Sequence, residues 1–175
     1  GYDLYCKMLN EAVKEQRGEE VEEDFETTID LDMDAYIPAT YIRNEFQKLD
    51  IYKRIAAISS QEEYEEMADE LMDRFGELPK AVQNLLGIAL VKALAHSAGV
   101  SAITHRGNET KVTMFPRAKV RGERIGPLLE KYRGAMKFTM GDNPYFSVKT
   151  KSGPGFDLIR CEKILISDMK TLTGE

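Results

Sequence analysis

The stretch Glu70-Leu71-Met72-Asp73-Arg74-Phe75-Gly76-Glu77-Leu78-Pro79 is typical of the end of an amphipathic helix. Leu71, Met72 and Phe75 continue an apolar stripe at the spacing of one helix face. Glycine at position 76 favours a cap with positive φ, and proline at position 79 prevents the helix from continuing. Because Ser60 to Glu63 form a capping box, we predict a helix between Ser60 and Gly76, with Phe75 buried.

The opposite face of the same helix carries acidic residues. Glu66, Glu70 and Asp73 follow one another at spacings of four and three, so they project side by side. Carboxylates near a helix C-terminus oppose the helix dipole, which costs a little stability. A solvated helix end is one interpretation, and a surface kept for a basic partner is the other. In either case we expect Glu70 and Asp73 to be exposed, with no structural role inside this chain.

Length and composition suit a single domain over residues 1–175. The 175 residues are 42% hydrophobic, which is enough for a core without disulfides. Residues 1–17 are predicted to form a leading helix, and residues 18–24 an acidic loop. The chain does not begin with methionine, so we expect a piece of a longer protein. It has no signal-peptide pattern and no disulfide framework, and we expect a cytoplasmic location.

Periodicity predicts an α+β fold, with a helical N-terminal half followed by antiparallel hairpins and a C-terminal helix. Alternation of apolar and polar residues predicts a strand over residues 25–33. One or two helices are expected over 40–59, with an inward stripe of Ile42, Phe46, Leu49, Tyr52, Ile55 and Ile58. Further helices are expected over 60–76, 80–98 and 122–132, and at the C-terminus over 156–172. Two hairpins are expected, one pairing 100–104 with 110–115 and the other pairing 135–140 with 145–150.

The sequence lacks the motifs of catalysis and of cofactor binding. The candidate metal ligands Cys6, His96, His105 and Cys161 do not have the spacing of a zinc site. The turn at residues 152–155 precedes a helix but lacks the lysine of a phosphate-binding loop. We therefore predict no catalytic residue, no metal and no cofactor, and expect that this chain is not an enzyme.

Three blocks of the sequence resemble the C-terminal domain of bacterial transcription-repair coupling factors. Residues 70–79 are similar to that family's signature Glu-Leu-x-Asp-Arg-Phe-Gly-x-Leu-Pro. The opening residues 1–5 are similar to the family's passage from the motor into the C-terminal domain, which implies that the helix over 1–17 joins this domain to an upstream motor. The block Leu49-x-x-Tyr52-Lys53-Arg54-Ile55 is similar to a further segment of the family. The resemblance is specific from residue 1 to about residue 100 and weak from Ser101 onward.

The resemblance implies a regulatory, non-catalytic domain of an ATP-dependent DNA translocase that couples transcription to nucleotide excision repair. In that family the domain docks on a UvrB-like module near the N-terminus of the same chain and masks its UvrA-binding surface. Contact with UvrA and RNA polymerase would then be indirect, through the parent protein. The acidic residues Glu66, Glu70 and Asp73 are our candidates for the docking contact, with arginines on the facing module as their partners.

An accessory nucleic-acid-contacting module is the alternative function. Residues 117–133 contain six basic side chains, namely Arg117, Lys119, Arg121, Arg124, Lys131 and Arg133. Tyr132 is the only aromatic residue among them, so the stretch lacks a platform on which bases could stack. Residues 77–175 hold 16 basic and 9 acidic side chains, but the whole chain has a net charge of −6. An acidic chain is a poor candidate for a dedicated DNA-binding protein, and we do not expect this chain to contact DNA.

Overall fold

The computed structural model describes residues 25–116, 118–151 and 157–173, which fall into two compact units. The first unit holds residues 33–93, and the second holds residues 25–32 and 94–173. The leading helix and the acidic loop expected at 1–17 and 18–24 lie outside the described residues. The single domain over residues 1–175 stays a prediction.

The described part of the first unit contains three helices, namely α1 (Glu45–Ala56), α2 (Gln61–Phe75) and α3 (Lys80–Ser97). The last of these belongs to the first unit as far as Ala93. The first helix is shorter than the expected span of 40–59. It begins after Asn44, whose side chain accepts hydrogen bonds from the backbone N–H groups of Phe46 and Gln47 at 2.9 and 3.0 Å. Asparagine in extended backbone is a strong N-cap, and this cap sets the start of the helix.

The second helix has the predicted ends. The Ser60 hydroxyl accepts a hydrogen bond from the backbone N–H of Glu63 at 3.1 Å, as in a capping box. The Glu63 carboxylate reaches one residue further back than expected and accepts from the backbone N–H and the hydroxyl of Ser59 at 2.7 and 2.8 Å. At the other end Gly76 has a φ of 94°, which favours glycine, and its N–H donates to the carbonyl of Met72.

The buried face of α1 differs from the predicted one. We expected Phe46 and Leu49 to point inward, but 86% of Phe46 and 45% of Leu49 are exposed. The buried residues are Ile51, Ile55 and Ala56. At 100° per residue, positions 46 and 49 lie on the side of the helix opposite to Ile51 and Ile55. The expected stripe was therefore wrong for the first two turns.

A five-stranded sheet forms the centre of the second unit. Its strands are β1 (Thr28–Asp30), β2 (Val100–Arg106), β3 (Glu109–Met114), β4 (Met136–Thr139) and β5 (Tyr145–Lys149). Their order is β1-β2-β3-β5-β4, and both expected hairpins are present as β2-β3 and β4-β5. The strand expected over 25–33 is only three residues long and pairs with β2 in parallel, so the sheet is mixed and not purely antiparallel.

Helices α4 (Ile125–Lys131) and α5 (Leu158–Thr173) complete the second unit, together with a 3-10 turn at Gly122–Arg124. Alternate residues of β3 and β5 are buried, and they form one face of the sheet, which is apolar apart from Thr110. Hydrogen bonds join α5 to β3, through Thr110 and Glu162, and to α4. Helices followed by hairpins and a C-terminal helix confirm the α+β prediction.

Candidate functional site

Helix α2 carries the three predicted docking residues along one side of its last three turns. Glu66 and Asp73 are exposed, and neither has a hydrogen-bond or ion-pair partner within the described ranges. Asp73 stands in the last turn of the helix, next to Arg74. An exposed carboxylate without an internal partner is available to a basic group outside the domain.

Glu70 differs from its two neighbours because it is paired inside the unit. Its carboxylate accepts hydrogen bonds from Nη1 and Nη2 of Arg54 in α1, at 2.5 and 2.6 Å. Nη1 of Arg74, one turn further along α2, lies 3.0 Å from the same carboxylate. The hydrogen bond from Arg54 is the main reason that the pKa of Glu70 falls to about 2. Our expectation that Glu70 has no structural role was therefore wrong.

A groove of about 480 Å³ separates α1 from α2 beside this ion pair. Its lining residues are Lys53, Arg54, Ala57, Ile58, Glu63, Glu66, Met67 and Glu70. Ile58 and Met67 are buried and give the groove an apolar floor. Lys53 and Glu66 are exposed at its edge and have no partner among the residues that the structure describes. An apolar floor with charged edges suits an arginine or lysine side chain, whose stem is apolar and whose end is charged.

The end of α2 is less buried than the sequence predicted. Phe75 is half-buried, not fully buried, and Met72 is 50% exposed. The ring of Phe75 packs against the ring of Tyr41, with centroids 5.8 Å apart, and the guanidinium of Arg74 lies 4.9 Å above it. The Tyr41 hydroxyl donates to the carbonyls of Leu71 and Gly76, which fastens this end of the helix. The candidate docking residues Glu70 and Asp73 thus stand on a well-anchored helix end.

The basic stretch of the alternative function is partly occupied by contacts within the second unit. Nη1 of Arg124 donates to the carbonyl of Thr171 at 2.6 Å, and Nζ of Lys131 lies 2.7 Å from the carboxylate of Asp168. Arg117 lies outside the described residues. The other three members, Lys119, Arg121 and Arg133, are exposed. Nucleic-acid contact by this stretch stays a prediction, and the contacts to α5 reduce the number of side chains available for it.

The second unit also contains a buried polar cluster that the sequence did not indicate. Glu162 of α5 is fully buried, and its Oε1 accepts a hydrogen bond from the Thr110 hydroxyl at 3.0 Å. Nδ1 of His105 lies 3.0 Å from the same hydroxyl and 3.3 Å from that of Thr150. Burial raises the pKa of Glu162 to about 7, and Oε2 has no partner in the described part of the chain. In the sequence, the apolar positions around Glu162 indicated only that it lies on the inner face of α5, and nothing indicated its hydrogen-bond partners.

The remaining candidate ligands and nucleophiles lie apart from one another. Nδ1 of His96 lies 3.1 Å from the Thr27 hydroxyl, and its ring stacks on Phe25. Burial raises the pKa of the Cys161 thiol to about 11, so this sulfur is a poor nucleophile near neutral pH. Cys6 lies outside the described residues. Among the residues with a described position, no three His, Cys, Asp or Glu side chains are grouped to hold a metal. No helix in those ranges is long and apolar enough to cross a membrane.

Comparisons with known proteins agree with the resemblance in the sequence. A family model described as "TRCF domain" matches residues 31–125. The transcription-repair-coupling factor of Staphylococcus haemolyticus is 37% identical over 169 residues, which cover 92% of this chain and 14% of that protein. The Bacillus subtilis protein of the same name is 37% identical over 155 residues, covering 86% of this chain and 13% of its own.

The fold agrees as well. A crystal structure of the C-terminal domain of transcription-repair coupling factor matches with a TM-score of 0.71 and 24% identity, covering 87% of this chain and 97% of that one. The chain spans only about one seventh of the length of the curated relatives that it matches. On the match over residues 31–125, the chain belongs to the TRCF domain family of transcription-repair coupling factors.

Proposed function

We propose that this chain is a regulatory domain that docks on a UvrB-like module of its parent protein and masks the UvrA-binding surface of that module. The parent is an ATP-dependent DNA translocase that couples transcription to nucleotide excision repair in the bacterial cytoplasm. The motor of the parent protein and its contact with RNA polymerase lie in other parts of the parent, outside this domain. The domain itself does no chemistry and acts through its docked and released states.

The observation that carries this proposal is the row of carboxylates on α2. Glu66 and Asp73 are exposed and unpaired within the described ranges, and Glu70 stands between them. Hydrogen bonds from arginines to carboxylates are strong when they are shielded from water, and they separate again when the surfaces part. Polar interdomain interfaces of this kind suit a contact that must open.

The test is to measure docking in trans, by isothermal titration calorimetry between this chain and the separately produced UvrB-like module. Asp73→Asn and Glu66→Gln should each weaken docking, by about 2–5 kcal/mol where the lost pair is shielded from water. Glu65→Gln is the matched control, because Glu65 is exposed on the same helix but lies about 100° away from Glu66. Its affinity should stay at the wild-type value.

The consequence for repair can be measured in the full-length parent protein. Asp73→Asn should populate the released state and increase binding of purified UvrA, whereas Glu65→Gln should not. Wild-type affinity of both docking variants for the UvrB-like module would refute the proposed contact surface. Normal UvrA binding by a variant that docks poorly would refute the masking role instead.

A further inference from the structure

Glu70 is the central residue of the proposed docking surface, yet it already has an arginine partner. Arg54 is part of α1, and Glu70 is part of α2, so the pair joins two helices of the same unit. The contact is bidentate, with each guanidinium nitrogen on a different carboxylate oxygen, at 2.5 and 2.6 Å. Both side chains remain partly exposed, at 42% for Arg54 and 34% for Glu70.

The geometry of the pair leaves little capacity for a second bidentate partner. A carboxylate offers about four lone-pair positions, two on each oxygen. Arg54 occupies one position on Oε1 and one on Oε2, and Arg74 takes another on Oε2 at 3.0 Å. An incoming guanidinium could therefore form only one further hydrogen bond to Glu70, on Oε1. Bidentate recognition from outside requires that Arg54 leaves.

The surroundings allow such an exchange. Arg54 lines the groove between α1 and α2 and is solvent-exposed on one side, so its side chain can move without opening the core. Glu66 lines the same groove one turn before Glu70 and has no partner within the described ranges. A displaced Arg54 or the incoming basic group can pair with this second carboxylate.

We propose that Arg54 competes with an arginine of the docking partner for Glu70 and thereby limits how tightly the domain docks. The Arg54–Glu70 pair takes the place of the interdomain contact while the domain is released. Docking is weakened by the free energy needed to break this pair. Release of the domain is then favoured because Glu70 returns to a partner in its own unit. This inference rests on the proposed docking function, and it adds the residue that limits the strength of docking.

The experiment compares the affinity of wild-type chain and Arg54→Gln for the UvrB-like module by calorimetry. Exposed bidentate pairs contribute up to about 1 kcal/mol, so Arg54→Gln should bind about three- to fivefold more tightly. Lys53→Gln is the matched control, because Lys53 lines the same groove and carries the same charge but has no described partner. It measures the general effect of removing one positive charge, and Arg54→Gln must exceed it.

A double variant isolates the competition itself. In a Glu70→Gln background the carboxylate is absent, so there is nothing for Arg54 to compete for. In that background Arg54→Gln should raise the docking affinity no more than Lys53→Gln does. Circular dichroism of each variant checks that the helices are intact. Binding by Arg54→Gln that is weaker than wild type, or no tighter than that of Lys53→Gln, overturns the inference.

The Asp73→Asn variant tests docking independently of Arg54, because Asp73 makes no described contact with Arg54. If Asp73→Asn weakens docking and Arg54→Gln does not tighten it, the inference about Arg54 fails alone. If Asp73→Asn and Glu66→Gln both dock with wild-type affinity, the proposed contact surface on α2 is wrong and the inference about Arg54 fails with it.

Discussion

Replacement of Glu162 by glutamine should remove a pH-dependent loss of stability from the second unit. Glu162 is fully buried, and burial raises its pKa from 4.5 to about 7. The folded state therefore holds this proton more tightly than the unfolded state does. The stabilising effect of the protonated form is fully present below about pH 4.5 and is lost as the pH rises through about 7.

The size of this effect follows from the two pKa values. A change of one pKa unit corresponds to about 1.4 kcal/mol, so the difference between 4.5 and about 7 amounts to about 3 kcal/mol. Glutamine resembles the protonated acid in shape and can still accept the hydrogen bond from Thr110. Glu162→Gln should therefore lose this part of the pH dependence and be more stable than wild type at pH 7.5, by up to about 3 kcal/mol.

Hydrogen exchange of the β3 and α5 backbone amides, at pH 5 and pH 7.5, measures the unfolding free energy of this unit directly. Glu130→Gln is the control, because Glu130 is exposed on α4 and should behave as wild type. If Glu162→Gln and wild type lose the same stability between the two pH values, Glu162 is not the titrating group and the reasoning is refuted.

Three further predictions concern the rest of the molecule. Gly99→Ala should destabilise the protein by more than about 1 kcal/mol in denaturant titration, because Gly99 has a φ of 77° and an added Cβ would lie 3.1 Å from the Cβ of Ala118. Gly122→Ala is the control and should leave stability unchanged, because no atom lies within 4 Å of the added Cβ. The Arg54–Glu70 pair should lose its stabilising effect as the pH falls from 4.5 to about 2, since the pKa of Glu70 is lowered; a smaller acid-induced change in melting temperature for Glu70→Gln checks this. Binding to a DNA duplex should be weak and salt-sensitive. Unchanged affinity of the triple variant Lys119→Gln/Arg121→Gln/Arg133→Gln in fluorescence anisotropy would exclude these exposed basic residues as its source.

Local signals in the sequence determined the order and type of the elements. Capping by Ser60, the positive φ of Gly76 and the turns between alternating segments depend on neighbours within a few residues, so they are visible without the fold. The family could also be predicted, because the resemblance lies in short blocks of contiguous residues. These features account for the α+β class and for the position of the acidic residues on α2.

Only the tertiary structure decided which partners these residues have. Glu70 and Arg54 are 16 positions apart, and no local pattern shows that the turn between α1 and α2 brings them together. The parallel pairing of β1 with β2 and the burial of Glu162 beside Thr110 likewise join residues more than 50 positions apart. Phe46 shows the reverse, since an apolar side chain predicted to be inside is exposed. The spacing of apolar residues along a helix or strand specifies which face can be buried. The packing of elements that are distant in the sequence decides which face is in fact buried and which charged side chains meet.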